Sequence, residues 1–141
     1  MALVVLILVI PAIYSVEMQS IATDVTVIEL KEIADYTSNS LGNLYFLANS
    51  TQNLNINLTK ELLYLPLTVQ DSPYILTIES VNGNATKVTA ALKGSHISGE
   101  SWLVPGLKVG SSYSLEVTRK PIVVGCYRNG NNFHIYLGHG V

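Results

Sequence analysis

From residue 2 to residue 16 the chain carries no charge, and thirteen apolar side chains are interrupted only by Pro11 and Ser15. Leu3, Val4, Leu6, Ile7, Ile10, Ile13 and Tyr14 leave no polar face, as in a helix surrounded by apolar neighbours. Met18, Ile21, Val25 and Ile28 continue with 3-4-3 spacing, followed by Ile33 and Tyr36, then Leu41, Leu44 and Tyr45. Glu17, Ser20, Asp24, Lys31 and Asp35 fall mostly on other sides of the cylinder. The pattern predicts one helix from near the start to about Ala48, greasy all round at first and amphipathic afterwards. At 1.5 Å per residue it would reach about 70 Å, more than so small a domain needs for its own core. Pro11 removes a backbone donor and is expected to kink the helix, and Gly42 to loosen its last turns.

The period changes at Asn49, Ser50, Thr51, Gln52 and Asn53, a polar stretch that reads as a linker. Beyond it the alternation has a period of two. Tyr74, Leu76 and Ile78 alternate with Ile75, Thr77 and Glu79; Val88, Ala90 and Leu92 with Lys87, Thr89 and Lys93. Tyr113, Leu115 and Val117 oppose Ser112, Ser114 and Glu116, and Phe133, Ile135 and Leu137 oppose His134 and Tyr136. Further strands are expected near residues 54–59, 62–69, 101–104 and 122–128. Asn82-Gly83-Asn84 and Asn129-Gly130-Asn131 should close two hairpins, because Asn and Gly tolerate positive φ. Seven or eight short, near-regularly spaced strands argue for a small antiparallel sandwich or barrel. The expected class is α+β: a long N-terminal helix over 1–48, a polar linker over 49–56, and a β domain of Ig-like sandwich type over 57–141.

Three readings of the apolar run compete. A cleavable secretory signal needs a basic segment ahead of its apolar core, and here the first basic residue is Lys31. A membrane span needs about 20 apolar residues, whereas fifteen reach only about 22 Å. The third reading is a helix buried among identical helices. The continuation into a long amphipathic helix favours it.

Composition agrees. Of 141 residues, 48% are hydrophobic and only 13% charged, against roughly 25% charged in ordinary soluble domains. So few charges in so short a chain imply a membrane segment or a large burial surface between copies. Up to Asp35 there are five acids against one base, while the remainder is slightly basic, so the two parts face different surroundings. A net charge of −2 gives no electrostatic reason to expect nucleic acid. A single cysteine, Cys126, excludes an intrachain disulfide and reads as a small buried hydrophobe.

Candidate chemistry is sparse. His134 and His139 bracket a strand end with no acid nearby, and His96 stands alone, so no metal site is expected. No serine occupies a nucleophile elbow, no paired carboxylates stand out, and the glycines of residues 104–110 lack phosphate-loop spacing. Neither a cofactor nor catalysis is expected. Three N-x-S/T sequons do occur, at Asn49, Asn57 and Asn84. Two flank the linker and one lies at a hairpin turn, where N-glycans could be attached if the chain is exported.

A hydrophobic N-terminal helix that turns amphipathic and carries a compact β domain resembles an archaeal type IV pilin. In sequence the likeness rests on residues 2–16 and, more loosely, on Leu63-Tyr64-Leu65-Pro66 followed by Tyr74-Ile75-Leu76-Thr77-Ile78, which looks like the lead-in to the β domain of some archaeal pilin-like proteins. The resemblance implies a mature chain, numbered from the point where a class III signal peptide is removed. Bacterial pilins have a glutamate at the fifth mature position; Val5 stands here, and archaeal pilins commonly lack that acid.

The family plan implies a membrane-inserted subunit processed by a prepilin peptidase and extracted by the pilus assembly machinery. It would then join a helical filament of identical subunits, extracellular and adhesive, with the helices in the core and the β domains outside. The expected core contacts are Leu3, Val4, Leu6, Ile7, Ile10, Ile13, Tyr14, Met18, Ile21, Val25 and Ile28, with a kink at Pro11. Two alternatives share the plan: an archaellin-type filament subunit, and a membrane-anchored surface-binding module such as a minor pilin or a cell-envelope-binding component.

Overall fold

A computed structural model describes residues 2–109 and 112–140, with side chains from Val25 onward. One helix, α1 (Ala2–Ser50), is followed by eight strands: β1 (Asn55–Glu61), β2 (Tyr74–Val81), β3 (Asn84–Leu92), β4 (Ser98–Trp102), β5 (Leu107–Lys108), β6 (Tyr113–Glu116), β7 (Ile122–Asn129) and β8 (Asn132–His139). The protein is α+β, a long N-terminal helix leading into a mostly antiparallel sheet. At 49 residues, α1 spans about 74 Å.

The strands run in the order β1-β7-β8-β5-β3-β2-β6, with β4 added to β3. Two antiparallel blocks stand out: β6-β2-β3-β4 and β1-β7-β8. The two-residue β5 joins them, pairing antiparallel with Asn84 of β3 and parallel with β8. Both expected hairpins form. Asn82 (φ 54) and Gly83 (φ 81) give the β2–β3 turn two positive-φ central residues, the mark of type I′. At the β7–β8 turn only Gly130 has positive φ (62), at the first central position where type II′ favours glycine.

The second half of α1 is the spine of the core. Leu30, Ile33, Ala34, Thr37, Leu41, Leu44 and Ala48 are buried, at 3–4 residue spacing on one face. They meet the inner positions of both blocks, including Leu76, Ile78, Val88, Ala90, Val124, Cys126, Ile135 and Leu137. Thr37 and Ser40, polar residues on a buried surface, donate to the carbonyls four residues back, of Ile33 (2.9 Å) and Tyr36 (2.8 Å). From about Thr26 onward, α1 therefore belongs to the β domain's core.

Three local expectations change. Residues 62–69 form an irregular segment, not a strand: Pro66 lacks a ladder donor, Leu62 and Val69 are buried as anchors, and Tyr74 Oη donates to the Pro66 carbonyl (2.6 Å). The strand expected at 101–104 lies earlier, at Ser98–Trp102. The linker shortens to residues 51–54, because α1 continues through Ser50 and β1 begins at Asn55.

Candidate assembly surface

Two contacts fix the helix in the domain. Gly99 of β4 lies against the α1 backbone so closely that a Cβ there would fall 2.6 Å from Lys31 Cα and 2.7 Å from the Leu30 carbonyl carbon. Only glycine permits that approach. Next to it, Ser38 Oγ donates to the Trp102 carbonyl (3.0 Å), and Ser101 hydrogen-bonds Asp35. Partial burial pushes the Asp35 pKa up, but hydrogen bonds from Ser101 and Lys31 and the charge of Lys31 outweigh it, and the net shift is down.

At the other end, Arg128 of β7 is only 9% exposed. Its Nη1 donates to the carbonyls of Ala48 and Thr51 (both 2.8 Å), its Nε to Gly130 O (2.9 Å), and its guanidinium lies 5.2 Å from the Phe133 ring centroid. The last turn of α1 has no basic residue of its own, so this strand side chain supplies the cation and donors that a helix C-terminus lacks.

The apolar stripe drawn from sequence splits in two. Ile33, Leu41 and Leu44 enter the core, with Tyr36 and Tyr45 half-buried beside them. Val25 and Ile28 do not: they are 39% and 54% exposed. Ile28 stands about 160° around the helix from Leu30, so the two cannot face the same partner. Beside this outward face lies a groove of about 370 Å³ between α1 (Glu29, Glu32, Ile33, Tyr36) and residues Tyr64, Leu65, Pro66, Thr68 and Val69. Tyr64 meets Tyr36 edge-to-face, 6.1 Å between centroids. The groove wall ends in a turn where Gln70 (φ 50) and Asp71 (φ 61) are both left-handed, and Gln70 Nε2 donates to Glu29 Oε1 (3.0 Å), tying the turn to the helix.

The remaining expected contact residues, Leu3, Val4, Leu6, Ile7, Ile10, Ile13, Tyr14, Met18 and Ile21, and the kink at Pro11, lie outside the residues whose side chains are described. Among the described residues no helix is long and apolar enough to cross a membrane.

Asn49, Asn57 and Asn84 are all exposed. Asn49 is in the last turn of α1, Asn84 opens β3 after the type I′ turn, and Asn57 on β1 accepts a hydrogen bond from Tyr136 Oη (2.7 Å). The Tyr136 ring reaches that position by lying over Gly125 of the intervening strand β7, where any Cβ would overlap it. His96, His134 and His139 are exposed, and no metal-ligating cluster occurs among the described residues. Cys126 is buried, and burial raises its thiol pKa to about 11, as fits a core residue.

No family model matches the chain, and no curated protein or solved structure is detectably similar to it.

Sequence reading missed Gly99 and Arg128. Ser98-Gly99 reads as an ordinary turn dipeptide, so nothing in sequence marks a helix contact. Arg128 left a trace: it is the one charge closing the apolar run from Ile122 to Tyr127, where a surface strand would alternate.

Proposed function

We propose that this chain is the major structural subunit of an extracellular archaeal type IV adhesion pilus. In this reading helices α1 bundle in the filament core, and the β domains form the outer surface. The observation that carries the proposal is the division of α1. Its second half is fixed in the domain core by Leu30–Ala48 packing, Gly99 and Arg128, while Val25 and Ile28 turn apolar side chains outward on the same rod. They continue from an uncharged run of thirteen apolar side chains, a surface that needs lipid or copies of itself. Fully burying a large aliphatic side chain from water contributes about 1.5–3 kcal/mol. The gain on leaving lipid is smaller, because lipid is already apolar.

On this proposal the two strand blocks take the place of the two sheets of an Ig-like sandwich. The subunit rests in the membrane before assembly, passes through a prepilin peptidase and the pilus machinery, and carries N-glycans at one or more of Asn49, Asn57 and Asn84. It acts as a homopolymer, with no catalytic step.

Electron cryomicroscopy of sheared native surface material, with mass spectrometry of the same fraction, tests the reading. The expected result is helical filaments of this chain with Val25 and Ile28 at helix–helix contacts. Monodisperse detergent-bound monomers as the only native form would overturn it in favour of a membrane-anchored binding module.

A further inference from the structure

Inner positions of β4 face the helix: Gly99 meets the α1 backbone and Ser101 bonds Asp35. Alternation then points Glu100 and Trp102 away from α1, onto the outer face of the β6-β2-β3-β4 block. Trp102 is 70% exposed. Lys87, its cross-strand partner on β3, holds Nζ 5.6 Å from the indole centroid. The same ammonium bonds Glu100 Oε2 at 2.6 Å and pairs with Glu79 Oε2 at 3.5 Å. The hydrogen bond that Lys87 donates to Glu100, above all, raises the Lys87 pKa. Thr89, which lies opposite Glu100 in the register, has a hydroxyl shielded from solvent and without a partner.

We propose that this face binds an uncharged polysaccharide, with a pyranose ring stacked on Trp102. An indole left this open offers a flat apolar surface to sugar C–H groups, as amphipathic aromatics do at wet interfaces. Ring hydroxyls both donate and accept, and the surrounding charged groups supply both: carboxylate acceptors on Glu79 and Glu100, and an ammonium donor on Lys87.

The charges select the ligand. Lys87 is already committed to two carboxylates, leaving this cluster one negative charge in excess, so an anionic polymer meets repulsion there. A protein partner is disfavoured as well. Protein hot spots centre on aromatic residues enclosed by other packed contacts, whereas the same-face neighbours of Trp102 are Lys87, Glu100 and Glu79. The inference goes beyond the pilus reading and does not depend on it.

Trp102 is the chain's one tryptophan, so indole emission of the full-length protein in detergent reports on this patch alone. Titration with cellohexaose and with chitohexaose should shift the emission for at least one of them, and oligogalacturonate should not. Calorimetry on Trp102→Ala should give at least about tenfold weaker binding, and Glu100→Gln a smaller, severalfold loss. Circular dichroism should show both variants folded; if Trp102→Ala is not, Glu100→Gln carries the test. No response to either neutral saccharide at about 10 mM, or affinity unchanged in the folded variants, overturns the proposal. Micrographs of the unaltered strain, beside the titration of the unaltered protein, keep the two readings apart: filaments without saccharide binding sink only this one, and saccharide binding without filaments sinks only the pilus.

Discussion

Arg128 Nη1 donates a 2.8 Å hydrogen bond to the carbonyl of Ala48, eighty positions earlier in the chain, so the last turn of α1 and the end of β7 are held as one unit. The same nitrogen reaches Thr51 O, and the connection from helix to sheet is only residues 51–54 long. A pull on the helix would therefore be carried into the β1-β7-β8 block.

Replacing Arg128 with Met keeps much of the apolar stem but leaves two helix-end carbonyls and Gly130 O without their donor. The expected cost is about 2–4 kcal/mol, read as a fall in the urea midpoint with little change in slope. Arg128→Lys should recover only part of it, because an ammonium cannot reproduce the fork that bonds Ala48, Thr51 and Gly130 together. Full recovery by Lys would show that charge alone matters.

Gly99→Ala places a methyl group inside the Lys31 and Leu30 backbone. Helix and β4 must separate, at an expected cost of about 1–3 kcal/mol or more. Hydrogen exchange should rise in β4 and in the α1 residues facing it before it rises in β8. A variant as stable as the parent would mean that α1 does not lie this close to β4.

The turn at Gln70 and Asp71 sets two non-glycine residues in the left-handed region. Asp71→Gly removes one of these penalties while leaving the Gln70–Glu29 bond in place, and a gain of about 0.5–1 kcal/mol is expected. Gln70→Ala should instead lose stability, since it removes that bond and keeps a Cβ at positive φ. Thermal midpoints measured on both variants decide the signs.

Alkaline pH should weaken the fold through Cys126. Its folded-state pKa lies near 11 against an ordinary value of 9.0, so the folded protein holds the thiol proton more tightly than the unfolded chain. That contribution is complete below pH 9 and is lost as the pH rises towards about 11. Burial of Tyr74 raises its pKa and acts in the same direction. Cys126→Ser should flatten the stability–pH curve between these limits, and a thiol reagent at neutral pH should label Cys126 only as fast as the protein unfolds. Rapid labelling under native conditions would contradict its burial.

Sequence by itself determined the long helix, six of the strands and both glycine turns, because each depends on short-range periodicity or on φ tolerance within a few residues. It also showed residues 2–16 to be uncharged and apolar on every side. Tertiary structure alone decided which side of the helix does what. Ile28 and Leu30 are equally apolar, and only the sheet, built from residues 55–139, assigns Leu30 to the core and leaves Ile28 outside. The same holds for Gly99, Arg128 and Trp102. Each owes its role to a partner distant in sequence, to the helix backbone, to a carbonyl eighty residues away, or to a lysine brought alongside by strand register, and a single sequence does not name such partners, even where, as at Arg128, the residue itself stands out.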